Sequence, residues 1–266
     1  TALQDAHYSF RGFGDDDAGA SGAADAQQDA AGAADGQQDA VLETAPQPDV
    51  AGRQVILRHD IDFDLHAALP FAHLEHECGV TSTYFVLTSS DFYNVNSRGS
   101  QKLLTQLLDC GHTVGLHFDR TRYGDNFDSS RAAYASKIRA EVALLESVLE
   151  RKVDCLSMHQ PSPNELDSNI ELDGLTNAYS KRFFQDFDYF SDSVMTWRRD
   201  VRAAIRDNYG QNMQILTHPF WYGDTQGTVH DKLAAFINSQ NGIMYRRLES
   251  YCPYFDRHIS SKDLLG

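Results

Sequence analysis

VILRHDIDFD, running from Val55 to Asp64, decides how the rest of the chain is read. Val55 to Leu57 open a short apolar strand, and the residues that follow, Arg58-His59-Asp60-Ile61-Asp62, are of catalytic type. In parallel α/β proteins ligands bind past the carboxyl ends of the strands, so a strand that ends in acids marks a rim where chemistry is done. Downstream the same alternation recurs. A helical stretch closes at Cys78-Gly79, a natural C-cap. TSTYFVL (81–87) is β-branched and aromatic, hence a buried strand. SQKLLTQLLDCG (100–111) reads as a helix with Leu103, Leu104, Leu107 and Leu108 inward, and HTVGLHFD (112–119) as the next strand. A helix over about 130–150 repeats Ile138, Val142, Leu145 and Leu149 at 3.6-type spacing. Strands are expected at 153–158, 187–191 and 213–217, and a helix near 229–239. Repeated βα units of this length predict an α/β fold with a parallel sheet or barrel and helices outside.

The chain divides into an N-terminal anchor segment (1–13), a low-complexity insert (14–49) and one catalytic-type domain (50–266). In the first, Tyr8, Phe10 and Phe13 are placed to form a short strand or anchor on the domain. In the second, GAADAQQDA (22–30) recurs as GAADGQQDA (32–40). Such composition cannot repay the entropy of ordering, so a flexible acidic insert is expected.

A chain of 266 residues with 41% hydrophobic content can bury a sizeable core. The net charge of -15 excludes nucleic acid and anionic membrane as partners, because both need a basic face. No stretch approaches the roughly 20 apolar residues that span a bilayer. The opening residues TALQDAHYSF lack the basic-then-apolar order of a leader. Cys78, Cys110, Cys155 and Cys252 are widely spaced and form no CxxC pair, so they read as free thiols. Both features predict a cytoplasmic setting.

Four expected strands end in polar residues of catalytic type: Asp60 and Asp62; His117 and Asp119; Ser157 and His159; Thr217 and His218. In a parallel sheet these converge on one rim. Asp60 and Asp62 lie two apart, so an extended backbone points both carboxylates the same way. Like charges so placed repel unless a cation or a proton separates them. His117 and His112 fall on opposite faces of their strand, which makes His117 the ligand candidate and His112 a structural or surface histidine. His66, His73 and His76, interleaved with Glu75 and Glu77, read as a solvated helix face. Asp64 is a candidate helix cap.

Taken in order, VILRHDIDFD, GHTVGLHFD, SMHQP, YFSDSVMTW and ILTHPFWYG resemble the polysaccharide deacetylase (NodB-homology) superfamily over roughly residues 53–225. The closer likeness is to a divergent branch with an Arg-His-Asp-x-Asp opening, found among surface-polysaccharide biosynthesis proteins. The resemblance implies a distorted (β/α) barrel of about seven parallel strands. It also implies a metal-dependent hydrolase that removes acyl groups from N-acetylated sugars or glycan-like small molecules. Carried over by position, Asp60 matches the general base, Asp62 the metal aspartate, His117 the first metal histidine and His218 the general acid. The family's second metal histidine falls on Thr121 here. The third ligand is therefore expected from His159, which stands where the family has an arginine that steadies the base, or from Asp119. Zinc is the first expectation for the metal; cobalt, nickel, manganese and iron suit the same ligand types. Trp197, Trp221 and Tyr222, with Tyr189 on the other flank of the Ser191-Asp192-Ser193 turn, are candidate sugar-binding rings, and Asp192 is placed to orient a catalytic group or hold a substrate hydroxyl. Two alternatives remain beside deacetylation: another metal-dependent amide hydrolase, such as a deformylase, and a carbohydrate-binding protein with a decayed site.

Overall fold

Eight strands lie in one wholly parallel sheet: β1 (Ser9–Phe10), β2 (Gln54–Ile61), β3 (Thr83–Leu87), β4 (Thr113–Phe118), β5 (Cys155–Met158), β6 (Thr176–Asn177), β7 (Asp188–Ser191) and β8 (Met213–Thr217). This is a computed structural model, and it describes residues 2–13, 52–124, 127, 130–167, 169–207, 211–223 and 226–264. The acidic insert expected at 14–49 lies outside the described residues. Seven strands run in the order β6-β5-β4-β3-β2-β8-β7, while β1 pairs with the start of β2 off that path. The sheet curls into a distorted (β/α) barrel with helices on its outer face, as the sequence predicts. The helices are α1 (Ala2–Asp5), α2 (Ala68–Glu77), α3 (Arg98–Asp109), α4 (Arg131–Leu149), α5 (Pro163–Asp167), α6 (Lys181–Phe184), α7 (Val201–Arg206) and α8 (Val229–Tyr251).

Side chains alternate across each strand, and the alternation sorts them into layers. On β2, Ile56, Arg58 and Asp60 face the barrel interior, while Val55, Ile61 and His59 face outward. The interior is filled by Ile56, Phe85, Cys155, Ala178, Phe183, Phe187 and Phe13. Phe13 comes from the N-terminal segment and packs against Phe85 and Phe183 at centroid distances of 5.6 and 5.2 Å. A phenylalanine so buried is worth about 3–5 kcal/mol against alanine. Gly115 faces the same interior, and a Cβ there would lie 2.5 Å from the Phe85 ring and 2.8 Å from Cys155 Sγ. Outside, Tyr84, Val86, Val114, Leu116, Phe118, Leu156 and Met158 form one large core with the apolar faces of α2, α3 and α4. A smaller layer of Tyr8, Val55, Phe190, Met213 and Ile215 lies beneath α7.

Helix α3 starts on Ser97, whose hydroxyl accepts from Ser100 N, and α4 on Ser130, whose hydroxyl accepts from Ala133 N. The helix expected near 229–239 runs on to Tyr251, and its start carries a capping box of Thr228 with Asp231. β6 has no counterpart in the sequence reading. At two residues it is too short to show a period. All four cysteines are free thiols. Among the described residues no helix is long and apolar enough to cross a membrane.

The histidine-rich face of α2 departs in part from expectation. His66, His73, His76 and Glu77 are exposed, but Glu75 turns inward. Its carboxylate accepts from His59 Nε2 (2.8 Å), Ser82 Oγ (2.6 Å) and Tyr84 OH (2.7 Å). His59 Nδ1 also meets Thr217 Oγ1 at 2.7 Å. His112, 4% exposed, bonds Ser82 Oγ and Ala72 O, and is structural. Outward-facing residues of β2 and β3 must bury polar groups under α2, and Glu75 satisfies them.

Candidate active site

Asp60 and Asp62 leave β2 on the interior side, as their spacing predicts. His117 ends β4 on the same side, His159 follows β5, and His218 follows β8. The parallel sheet brings all five together at its carboxyl-end rim, over a cavity of about 310 Å³.

Asp62 Oδ1, His117 Nε2 and His159 Nδ1 form a nearly equilateral triangle. Oδ1 stands 3.2 Å from His117 Nε2 and 3.3 Å from His159 Nδ1, and the two nitrogens are 3.2 Å apart. Of the expected third ligands, the structure brings His159 into this group. Asp119 instead caps the turn that follows β4, accepting from Thr121 N at 2.8 Å and Thr121 Oγ1 at 2.7 Å. Thr121, where the family has its histidine, is exposed and engaged only in that cap.

The triangle suits a divalent cation. Asp62 Oδ1 is buried without a hydrogen-bond partner. Two imidazole nitrogens facing each other at 3.2 Å are compatible only if a proton or a cation lies between them. Ligand bonds of about 2.0–2.1 Å in tetrahedral array separate neighbouring donors by about 3.3–3.4 Å, against about 2.9 Å at octahedral right angles. The observed 3.2–3.3 Å lies nearer the tetrahedral value. His117 is oriented for the purpose. Its Nδ1 is 2.6 Å from Ser157 Oγ, its register neighbour on β5, and that hydroxyl reaches Asp60 Oδ1 at 3.4 Å. With Nδ1 donating to Ser157, the lone pair on Nε2 is left for the triangle.

Asp60 stands beside the triangle without being part of it, its Oδ2 3.7 Å from His117 Nε2. Arg58 grips it as a fork, with Nε to Oδ1 at 2.9 Å and Nη2 to Oδ2 at 2.7 Å. Arg58 is wholly buried; it also donates to Gln214 Oε1 at 3.2 Å and lies 4.3 Å from the Tyr179 ring centroid. Burial works to raise the Asp60 pKa, but Arg58 and then His117 outweigh it and hold the carboxyl below its ordinary range. Burial likewise opposes ionisation of Asp62, whose pKa is nonetheless lowered by His117 and His159. In the sequence, Arg58 was legible as a charge near the site; its grip on Asp60 follows from the i, i+2 alternation of a strand.

His218 is held by Asp192. Its backbone N–H reaches Asp192 Oδ2 at 3.0 Å, and its Nδ1 reaches Oδ1 at 2.6 Å. Burial lowers the imidazole pKa, and the Asp192 hydrogen bond with the Asp60 and Asp62 charges raises it on balance. Nε2 faces the triangle, 3.9 Å from Asp62 Oδ2.

Searches with protein-family models and against curated proteins return no match. Solved structures give distant likenesses, three of them as follows. The chitin deacetylase of the fungal pathogen Colletotrichum lindemuthianum is 14% identical, with a TM-score of 0.41 over 70% of this chain and 81% of that one. A peptidoglycan deacetylase of Bacillus subtilis is 17% identical, with a TM-score of 0.40 over 64% and 76%. A CE4 family pseudoenzyme of Bacillus anthracis is 14% identical, with a TM-score of 0.38 over 71% and 60%. The chain thus spans 60% of the length of that last protein.

The expected sugar-binding residues need correction. Asp192 is fully buried with both oxygens taken by His218, so no substrate hydroxyl reaches it. Trp221 is 8% exposed and packs in an aromatic cluster with Phe63 and Phe220, at centroid distances of 6.2 and 4.8 Å. Tyr222 packs on Phe71 at 5.2 Å, and its phenol pKa is raised by burial and then by Asp192 beside it. Trp197 joins the outer layer beneath α7. None of the four is among the described residues that line the cavity. Tyr179, Phe184, Tyr189 and Gln160 line it instead, with Leu166 and Arg198. Of the rings expected from the sequence, Tyr189 is the one that lines the cavity. Tyr179 and Phe184 follow the unforeseen β6 and carried no sequence signal.

Proposed function

We propose that the chain is a metal-dependent amide hydrolase that removes the acyl group from an N-acylated sugar. The observation that carries this reading is the triangle of Asp62, His117 and His159 around an otherwise unpartnered carboxylate oxygen. These three residues would hold the cation, with zinc favoured by the donor set and spacing. When bound there, it supplies Lewis acidity, polarising an acyl oxygen and acidifying water.

Asp60 takes the proton of the attacking water. Arg58 keeps it ionised, and its basicity is correspondingly low. Ser157 and Arg58 fix both its oxygens, so the carboxylate does not rotate during transfer. His218 protonates the departing nitrogen through Nε2. Asp192 holds Nδ1–H, fixes the tautomer and stabilises the imidazolium form that the role requires. Base and acid border the triangle at different corners, Asp60 Oδ2 3.7 Å from His117 Nε2 and His218 Nε2 3.9 Å from Asp62 Oδ2, and an amide needs both because its nitrogen is a poor leaving group. Phe184 and Tyr189, both half-buried at the cavity wall, offer aromatic surface for one sugar ring, while Tyr179 lies beneath with its face on Arg58; a cavity of about 310 Å³ is at the lower end for small-molecule sites.

Metal content by elemental mass spectrometry, measured beside acetate release from N-acetyl sugars, tests the proposal. Near-stoichiometric metal in the wild-type chain that falls in both His117→Ala and His159→Ala is expected. A chain that takes up no zinc, cobalt or manganese would sink the mechanism and favour the carbohydrate-binding alternative.

A further inference from the structure

Beside the cavity over the triangle lies a smaller recess of about 140 Å³, and the two share Tyr189, Ser193 and Arg198 as walls. Ser191 and Arg199 complete its polar lining, and no carboxylate is among the described residues that line it. The two hydroxyls face each other at 3.0 Å. Arg199 is committed, with Nη1 2.8 Å from Asp188 Oδ1 and its guanidinium over the Phe190 ring at 4.4 Å. Arg198 is not. It is exposed, borders both cavities, and no hydrogen bond or ion pair joins it to any described residue.

The backbone that presents it is strained. Val194 and Met195 are consecutive residues in the left-handed region, with φ of 50° and 58°, and a β-branched residue seldom adopts it. Gln160, on another wall of the cavity, has φ of 44°. Strain of this kind gathers at ligand clamps, because the surrounding structure must hold it in place. A merely solvated arginine needs no such loop.

We infer that the acyl sugar carries an oxyanion, phosphoryl or carboxylate, and that Arg198 receives it in this recess. The inference rests on the proposed amide-hydrolase reading and specifies its substrate. A planar guanidinium pairs with two oxygens of either group at once, and the Ser191–Ser193 pair, with one hydroxyl hydrogen spent on its own bond, supplies one further donor.

The test is calorimetric binding to the full-length, zinc-loaded chain carrying His218→Gln, whose amide can still donate to Asp192, with and without Arg198→Gln. The probes are N-acetylglucosamine, its 1- and 6-phosphates, and N-acetylmuramic acid. At least one anionic sugar should bind tenfold or more tighter than the neutral one, and Arg198→Gln should shrink that gap below twofold. Whether a phosphate or the carboxylate leads identifies the source of the charge. Equal binding of all probes, absent binding included, overturns the inference, as does a gap that survives Arg198→Gln. Acetate release by the wild-type chain separates the two readings. Release from N-acetylglucosamine without a binding gap keeps the hydrolase and discards the anion recess. An Arg198-dependent gap with no release from any probe does the reverse.

Discussion

Arg58 and Asp60, two residues apart on one strand, meet inside the barrel as a closed two-bond fork, Nε to Oδ1 at 2.9 Å and Nη2 to Oδ2 at 2.7 Å. Both are buried, at 0% and 3% exposure, so neither charge has water to fall back on. Removing one partner therefore strands the other. Arg58→Gln should destabilise the chain by about 3–5 kcal/mol, while Arg58→Gln with Asp60→Asn should cost clearly less. Urea unfolding of the wild type, both single variants and the double variant measures the coupling. Additive costs would show that the fork is not the unit described here.

Asp192 holds His218 and sits beside the Tyr222 phenol, and is no corner of the triangle, so its loss should leave the cation site alone. Asp192→Asn keeps the shape but weakens the hold on Nδ1 and favours the wrong tautomer. Loss of acid catalysis on this scale lowers kcat by roughly 10²–10⁴-fold. Acetate release should fall by that much, with metal content and KM near wild type. A variant that loses metal in parallel would place Asp192 in the cation site instead.

Asp119 offers a contrast between neighbours. It follows the ligand histidine by two residues, yet its Oδ1 caps the next turn through Thr121. Asp119→Ala should cost about 1 kcal/mol of stability, as lost caps do. Metal content should not change, whereas His159→Ala should lower it. Depletion in Asp119→Ala would reinstate it as the third ligand.

Glu75 gives the fold an acid limit that is separate from the site. Burial pushes its pKa up, but His59, Ser82 and Tyr84 together bring it down from 4.5 to about 2. A depressed folded-state pKa stabilises the protein above the unfolded value near 4.5, and that stability is lost as pH falls through about 2. The amount is on the order of 3 kcal/mol. Glu75→Gln should be less stable than wild type at pH 7, and the difference should shrink toward pH 2. Melting curves of chelator-treated protein across that range check it; a constant difference would put the loss down to packing.

The sequence by itself determined the parallel (β/α) architecture, because continuous apolar strands and 3.6-period helices alternate from Val55 onward. It also placed Asp60, Asp62, His117, His159 and His218 on one rim, since period 2 and a common strand direction leave them nowhere else to point. It was less informative wherever an outcome depended on two distant segments meeting. Whether His159 or Asp119 completes the triangle depends on how the turns after β4 and β5 fold back. For Asp192 the sequence left open whether it orients a catalytic group or holds a substrate hydroxyl, and its contact with His218, 26 residues away, selects the first; Glu75 read as solvated, yet it turns inward against His59, 16 residues away. The cavity walls Tyr179 and Phe184 come from segments too short to carry a period. Periodicity is a local property of the chain, so it fixes the face on which a side chain lies. What that face meets is a matter of three-dimensional closure, and only the tertiary structure decides it.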